Sequence, residues 1–291
     1  MINTVYYFSG TGNSLCVAKY LTSKLNNVEL IPVVSKFQLK EKIQNDSEVI
    51  GFIFPNFCLS IPIPIKIFLT KIDLSSTKYL YGICTRGGTE SEAFSYINKL
   101  LKKQNKQLNA KMLITMPWNH PLGKSNIISK NTIQNNVNLE KIMHSKIDHL
   151  VEIITARENY EIIDNEASYK LPSFVKLFLL SKRVNYELHR FMYQRLIKFY
   201  TDNKCNGCGV CENVCQSKKI KIYNNKPEWN KKIACYGCFA CINYCPNISI
   251  QIKSNFPVIS YTTKNERYHH PEITVSEIEN QKKLHLTTAS T

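Results

Sequence analysis

The sequence predicts an α/β chain: a doubly wound, five-stranded parallel sheet, then a helical connector and a small α+β metal-binding domain. Three observations carry this. Strand-like runs alternate with helically spaced apolar residues over roughly the first 155 positions. A glycine- and hydroxyl-rich turn follows the first strand directly. Eight of the eleven cysteines fall between Cys205 and Cys245.

Ile2 to Phe8 is apolar and β-branched, and Ser9-Gly10-Thr11-Gly12-Asn13-Ser14 breaks it. Leu15, Val17, Ala18, Leu21 and Leu25 follow at helical spacing. Val28 to Val34 reads as the second strand and Val49 to Phe54 as the third, ended by Pro55. In Ile61 to Leu69, Pro62 and Pro64 suit a helix's first turn, where a missing N–H costs little. Tyr79 to Cys84 is the fourth strand, stopped by Thr85-Arg86-Gly87-Gly88; Phe94, Ile97, Leu100 and Leu101 mark a helix. Met112 to Met116 is the fifth strand, and Leu139 to Ile154 a long amphipathic helix. Strands alternating with helices argue for a parallel sheet covered on both faces. Leu171 to Tyr200 reads as helical, basic and aromatic. It is taken as a connector packed between two domains, a membrane-surface helix being the alternative. After Ile252 the chain is polar and is expected to be partly disordered, with the histidines of Tyr268-His269-His270-Pro271 solvated.

Bulk composition narrows the classes. A chain of 291 residues suggests two domains. Its hydrophobic share of 43% is that of a globular protein, and no apolar run is long enough for a transmembrane helix. The start has no basic n-region and no cleavage site, so the expectation is a cytoplasmic protein. In a reducing compartment, grouped cysteines point to metal or redox chemistry, not disulfides. Lys and Arg exceed Asp and Glu by 38 to 22, a formal charge of +16. The lysines are dispersed, which speaks for a solvated surface that could steer an acidic redox partner, and against nucleic acid.

The cysteines form two runs, Cys205-x2-Cys208-x2-Cys211-x3-Cys215 and Cys235-x2-Cys238-x2-Cys241-x3-Cys245-Pro246. Three cysteines at two-residue gaps wrap one cubane, and the fourth, three residues on, ligates the other cluster. Cys205, Cys208, Cys211 and Cys245 should hold one four-iron cluster, and Cys235, Cys238, Cys241 and Cys215 the second. Zinc ribbons need only paired C-x2-C units, so a third and fourth cysteine in each run are surplus to zinc. Gly207, Gly209 and Gly237 would let backbone N–H groups approach the cluster sulfurs. Gln216 stands where such runs usually have proline, which leaves the local turn, not ligation, in question. Residues Asp202 to Gln251 resemble bacterial two-cluster ferredoxins.

Between first strand and first helix, a phosphate would meet backbone N–H groups, hydroxyls and the positive end of a helix. The turn lacks the G-x-G-x-x-G spacing of dinucleotide folds and the lysine of a P-loop. A plain strand–helix turn is the alternative. Ser9-Gly10-Thr11-Gly12-Asn13-Ser14 resembles the FMN phosphate loop of flavodoxin-like domains. With the cysteine runs, the chain from Ile2 to about Ile252 resembles the flavodoxin–ferredoxin fusion family. That resemblance implies strand order 2-1-3-4-5, with a flavin at the carboxyl ends of the strands. It further implies an FMN domain over 1–157, a helical connector over 158–200, a ferredoxin domain with two four-iron clusters over 201–252 and a polar tail over 253–291. Asn56 and Phe57, and Thr85, Arg86, Gly87 and Gly88, would flank the flavin ring, Phe57 by stacking. Arg86 would sit either near the ring or in solvent. Trp118 and His120 would reach the flavin or pack under the connector.

No catalytic constellation is legible. The leading expectation is an electron carrier that relays electrons between FMN and the two clusters for a redox protein partner. A flavin-dependent reductase with its own small substrate is one alternative; a ferredoxin module whose flavodoxin-like domain only docks a partner is another.

Overall fold

The computed structural model describes residues 3–38, 42–121, 133–162, 164–167, 197–254 and 267–283. Strands β1 (Asn3–Tyr7), β2 (Val28–Pro32), β3 (Val49–Pro55), β4 (Tyr79–Arg86) and β5 (Ala110–Thr115) make one sheet in the order β2-β1-β3-β4-β5. Every pairing is parallel, Val5 lying opposite both Leu30 and Gly51. β4 is buried along its whole length and β3 up to its final proline, which is why both read as continuous apolar runs. Gly51 lets the Tyr81 ring lie on the sheet: a Cβ there would stand 2.3 Å from the ring.

Helices cover both faces. α1 (Asn13–Lys24) and α4 (Ile133–Ala156) bury Leu15, Leu21, Met143, Ile147 and Leu150 on one side. α2 (Ile63–Leu69) and α3 (Ala93–Leu101) bury Ile65, Phe68, Phe94 and Ile97 on the other. Order, direction and two-sided cover make this a flavodoxin-like sheet. β2 is shorter than expected: it stops at Pro32, and Val33–Gln38 winds into a 3-10 turn.

The small C-terminal module consists of β6 (Ile197–Thr201), the single-turn helix α5 (Val210–Asn213), the hairpin β7 (Ile220–Tyr223) and β8 (Lys226–Trp229), the single-turn helix α6 (Ala240–Asn243) and β9 (Ile250–Ser254). β6 pairs antiparallel with β9. The hairpin turns at Asn224-Asn225, both left-handed, a conformation asparagine tolerates well. Ile197, Ile220, Phe239, Ile242 and Ile250 form its core. Most of the expected connector helix lies outside the described residues. Its last positions, from Ile197, are a strand: pairing with β9 overrides the local helical spacing.

Residues 267–283 differ from the solvated tail expected of them. They carry α7 (Val275–Asn280) and run between the sheet and the small module, with His270 4%, Ile273 2%, Ile278 0% and Gln281 0% exposed. Arg267 donates to the carbonyls of Ile242 and Ile250 at 2.7 and 2.9 Å. The Tyr244 hydroxyl donates to the Ile273 carbonyl at 3.1 Å, and Lys282 Nζ to the Asn213 carbonyl at 2.6 Å. No described helix is long and apolar enough to cross a membrane.

Candidate functional site

The cysteines converge as two mixed sets. Cys205, Cys208, Cys211 and Cys245 line one cavity; Cys215, Cys235, Cys238 and Cys241 line the other. None of the eleven cysteines is disulfide-bonded. Both loops reverse through left-handed residues, Gly207 and Gly209 in the first, Gly237 and Phe239 in the second. Phe239 has a Cβ and takes this conformation at a cost that its packing offsets. Its ring is buried and meets His120 edge-on at 5.0 Å. The Gly237 and Ser249 amides donate to Cys235 Sγ and Cys245 Sγ, each at 3.4 Å. Burial pushes the Cys211 and Cys238 thiols up to about 12 and Cys235 to about 11, with neighbouring cysteine charges adding to each. Such groups become thiolates only on gaining a cation. Gln216, where proline was expected, is 2% exposed and donates to the Ile278 carbonyl at 2.7 Å, so a bond to α7 steadies the turn.

The turn after β1 is buried on two sides. Ser9 Oγ accepts from the Gly12 amide at 3.2 Å, Ser14 Oγ lies 2.7 Å from Thr85 Oγ1, and Asn119 Nδ2 donates to Thr11 Oγ1. On the tail side, the Ser9 amide donates to Gln281 Oε1 at 3.0 Å, and Gln281 Nε2 returns a bond to the Ser9 carbonyl at 2.9 Å. The His270 amide donates to the Thr11 carbonyl at 2.8 Å, and a Cβ on Gly12 would stand 2.7 Å from that of His270. On the module side, a Cβ on Gly10 would stand 2.7 Å from the Cys238 carbonyl oxygen. Between these contacts a narrow recess remains, walled by Ser9, Gly10, Thr11, Asn13, Ser14 and Cys238 among others. It opens at the N-terminus of α1, where the first amides lack intrahelical acceptors and an anion is favoured.

Next to the recess lies a cavity of about 220 Å³ at the carboxyl ends of β3, β4 and β5. Asn13, Asn56, Phe57, Thr85, Arg86 and Gly87 line the sheet side, whereas Gly12 and Gly88 do not reach the wall. Trp118 packs on Gly87, where a Cβ would stand 2.3 Å from the indole, and supplies the aromatic surface that the Thr85–Gly88 loop lacks. Gly237, Cys238 and Phe239 close the far side. Trp118 and His120 therefore bridge sheet and module.

Arg86 is neither a solvent-exposed loop residue nor a free cation beside the cavity. It is 4% exposed and ion-paired with Asp164, with a further bond to the Thr89 carbonyl at 3.1 Å. Partial burial pushes the Asp164 carboxyl up, but the guanidinium's hydrogen bonds and charge outweigh that and hold it below its ordinary value. Arg86 Nε and Asn13 Oδ1, a donor and an acceptor, are buried and have no partner among the described residues.

No family model matches the chain, and no curated protein does. Among solved structures, a putative flavoprotein from Bacteroides uniformis is 17% identical, over 40% of this chain and 92% of its own, at a TM-score of 0.29. A flavodoxin from the domain Archaea is 17% identical, over 52% of this chain and 99% of its own, at 0.30. General stress protein 14 from Treponema denticola, solved in complex with FMN, is 8% identical, over 53% of this chain and 99% of its own, at 0.34. Strand order and direction, not these scores, define the fold class.

Sequence reasoning missed the tail as a wall of the site, although a signal was present. Thr274-x-x-Glu277 is a capping box, with Thr274 Oγ1 accepting from the Glu277 amide at 3.2 Å and Glu277 accepting from the Thr274 amide at 2.9 Å. Ile273 and Ile278 flank it as a hydrophobic staple.

Proposed function

We propose that the chain is an electron-transfer protein that relays electrons between FMN and two four-iron clusters. The observation that carries this is the shared wall: Cys238 lines the strand-end cavity and also one of the two four-cysteine cavities. A cluster held there would stand next to whatever occupies the first cavity, with no intervening layer of protein.

The residues fit FMN. The recess at the start of α1 presents hydroxyls and helix-start amides to an anion, and with a free volume of about 10 Å³ it must widen to take a phosphate; Phe57 and Trp118 offer apolar ring surface. Asn13 Oδ1 can accept from an N–H or hydroxyl, while Arg86 Nε can donate to a carbonyl. Bound there, FMN would exchange electrons singly or in pairs, and each cluster one at a time. Within this scheme Gly10 permits the close approach of the second cysteine loop, and Phe239 with His120 keeps water from the junction. Cys205, Cys208, Cys211 and Cys245 hold the outer cluster; Cys215, Cys235, Cys238 and Cys241 hold the one facing the flavin.

The domain assignment follows: FMN domain 1–157, connector 158–200, ferredoxin domain 201–252 with β6 joined to it, and a C-terminal segment 253–291. A redox protein with an acidic face suits the formal charge of +16. The test is anaerobic purification with absorption spectrum, flavin extraction and iron and sulfide counts. About eight irons and one FMN per chain are expected; four or fewer irons, or zinc in the cysteine cavities, overturn the reading. Stopped-flow reduction of the same protein should then show electrons passing from flavin to clusters.

A further inference from the structure

We propose that Cys16, Glu140 and His270 form a third metal site, one that takes a single zinc-like dication and pins the C-terminal segment to the sheet domain. The three come from α1, α4 and the segment before α7, far apart in sequence. The fold nevertheless brings one ligand atom from each to within 4.8 Å of the others. Cys16 and His270 are 7% and 4% exposed, and Glu140 is half-buried, leaving one side open to water. The site shares no residue with either four-cysteine cavity.

The donor set suits zinc. One sulfur, one imidazole nitrogen and one carboxylate oxygen are all common zinc ligands, and three protein ligands leave a fourth position for water. Charge balances too: a thiolate and a carboxylate neutralise a dication, so the filled site carries no net charge into the protein. Binding forms one metal–sulfur bond and releases the thiol proton to solvent. Burial, with the Glu140 and Glu272 charges, keeps the Cys16 thiol at about 12 without a cation, so uptake is coupled to proton loss. Glu272, His269 and Lys19 lie near enough for their charges to act on His270, His269 being stacked on Tyr244 and Lys19 paired with Glu277. The Glu272 amide approaches His270 Nδ1 at 3.4 Å, too weak a bond to hold the ring against a metal.

Position gives the site a role. His270 is the residue whose amide holds the Thr11 carbonyl and whose Cβ covers Gly12. A metal that fixes its ring fixes the turn after β1 from behind, whether or not flavin is bound.

The test uses the full chain, purified anaerobically with its clusters, given one equivalent of zinc and dialysed, then examined by metal analysis and zinc X-ray absorption. Expected are one zinc per chain, one sulfur at about 2.3 Å and the remaining ligands nitrogen or oxygen at about 2.0–2.1 Å. Cys16→Ser should remove the sulfur with iron content unchanged. Glu140→Gln, at the exposed edge where folding is safe, should weaken zinc by at least the roughly 10–100-fold seen for outer-shell changes. Zinc lost on dialysis, an all-sulfur shell, or wild-type affinity in both Glu140→Gln and His270→Gln overturns the proposal.

Discussion

Gly10→Ala tests the seat of the second cysteine loop on the sheet. Gly10 has no positive φ, so alanine brings no backbone strain and the perturbation is steric alone. The added Cβ would lie 2.7 Å from the Cys238 carbonyl oxygen and 2.8 Å from its Cβ, against an ordinary contact of 3.4 Å or more. Neither neighbour is the end of a flexible side chain, so the Cys238 loop must lift by several tenths of an ångström. Overpacking of this kind costs about 1–3 kcal/mol, or roughly 2–10 °C in Tm for a protein of this size class. Thermal unfolding gives the stability arm. Stopped-flow transfer from flavin to cluster gives the functional arm, in which Gly10→Ala should be slower than wild type. A Gly10→Ala protein with wild-type Tm and wild-type transfer would refute the tight seat.

Exchange of the fourth ligands predicts that Cys245→Ser damages the cluster built on the first run and Cys215→Ser that on the second; each should lower the iron count by about four, and EPR should show which cluster survives. Asp164→Asn leaves the buried Arg86 unpaired and should cost about 1–3 kcal/mol, less than a fully buried pair because Asp164 keeps 24% of its side chain in water. Because the Asp164 carboxyl is held below its unfolded value of about 3.9, the pair stabilises the fold above that value. That contribution is lost as pH falls through the folded pKa, so the gap between wild type and Asp164→Asn in urea unfolding should narrow as the pH is taken below about 3.9. Gln281→Ala strands the Ser9 amide and carbonyl in a buried site and should cost about 1–3 kcal/mol in the same measurement, with Thr274→Ala costing about 0.5–2 kcal/mol.

The sheet was legible because parallel strands buried on both faces leave long apolar runs, as Val49–Pro55 and Tyr79–Arg86 do. The grouping expected of the eight cysteines from their spacing is the grouping that lines the two small cavities, each run's fourth cysteine joining the other run's three. Ile197–Thr201 misled because five residues fit a helix and a strand equally, and only the partner Ile250–Ser254 decides. Arg86 could not be placed, because its partner Asp164 lies 78 residues away in a stretch without periodicity. His270 was misread as solvated, and Gln281 as lying in a partly disordered tail, for a related reason: polar composition records what water could solvate, not what neighbouring backbone groups can hold. Their partners are carbonyls and amides of residues near the start of the chain, which no side-chain pattern announces.

The bond between Ser9 and Gln281 spans 272 positions, which sets an order of assembly on the ribosome. At about 5–20 residues per second, roughly 15–50 s separate the synthesis of its two ends. Within that interval, once Ala110–Thr115 has emerged, the nascent sheet can form with its first turn uncovered on two sides. The cysteine runs emerge before the segment that closes over them, so on the proposed function iron and sulfide would enter a structure that is still open. Gln281, arriving after both cysteine runs, closes over the first turn.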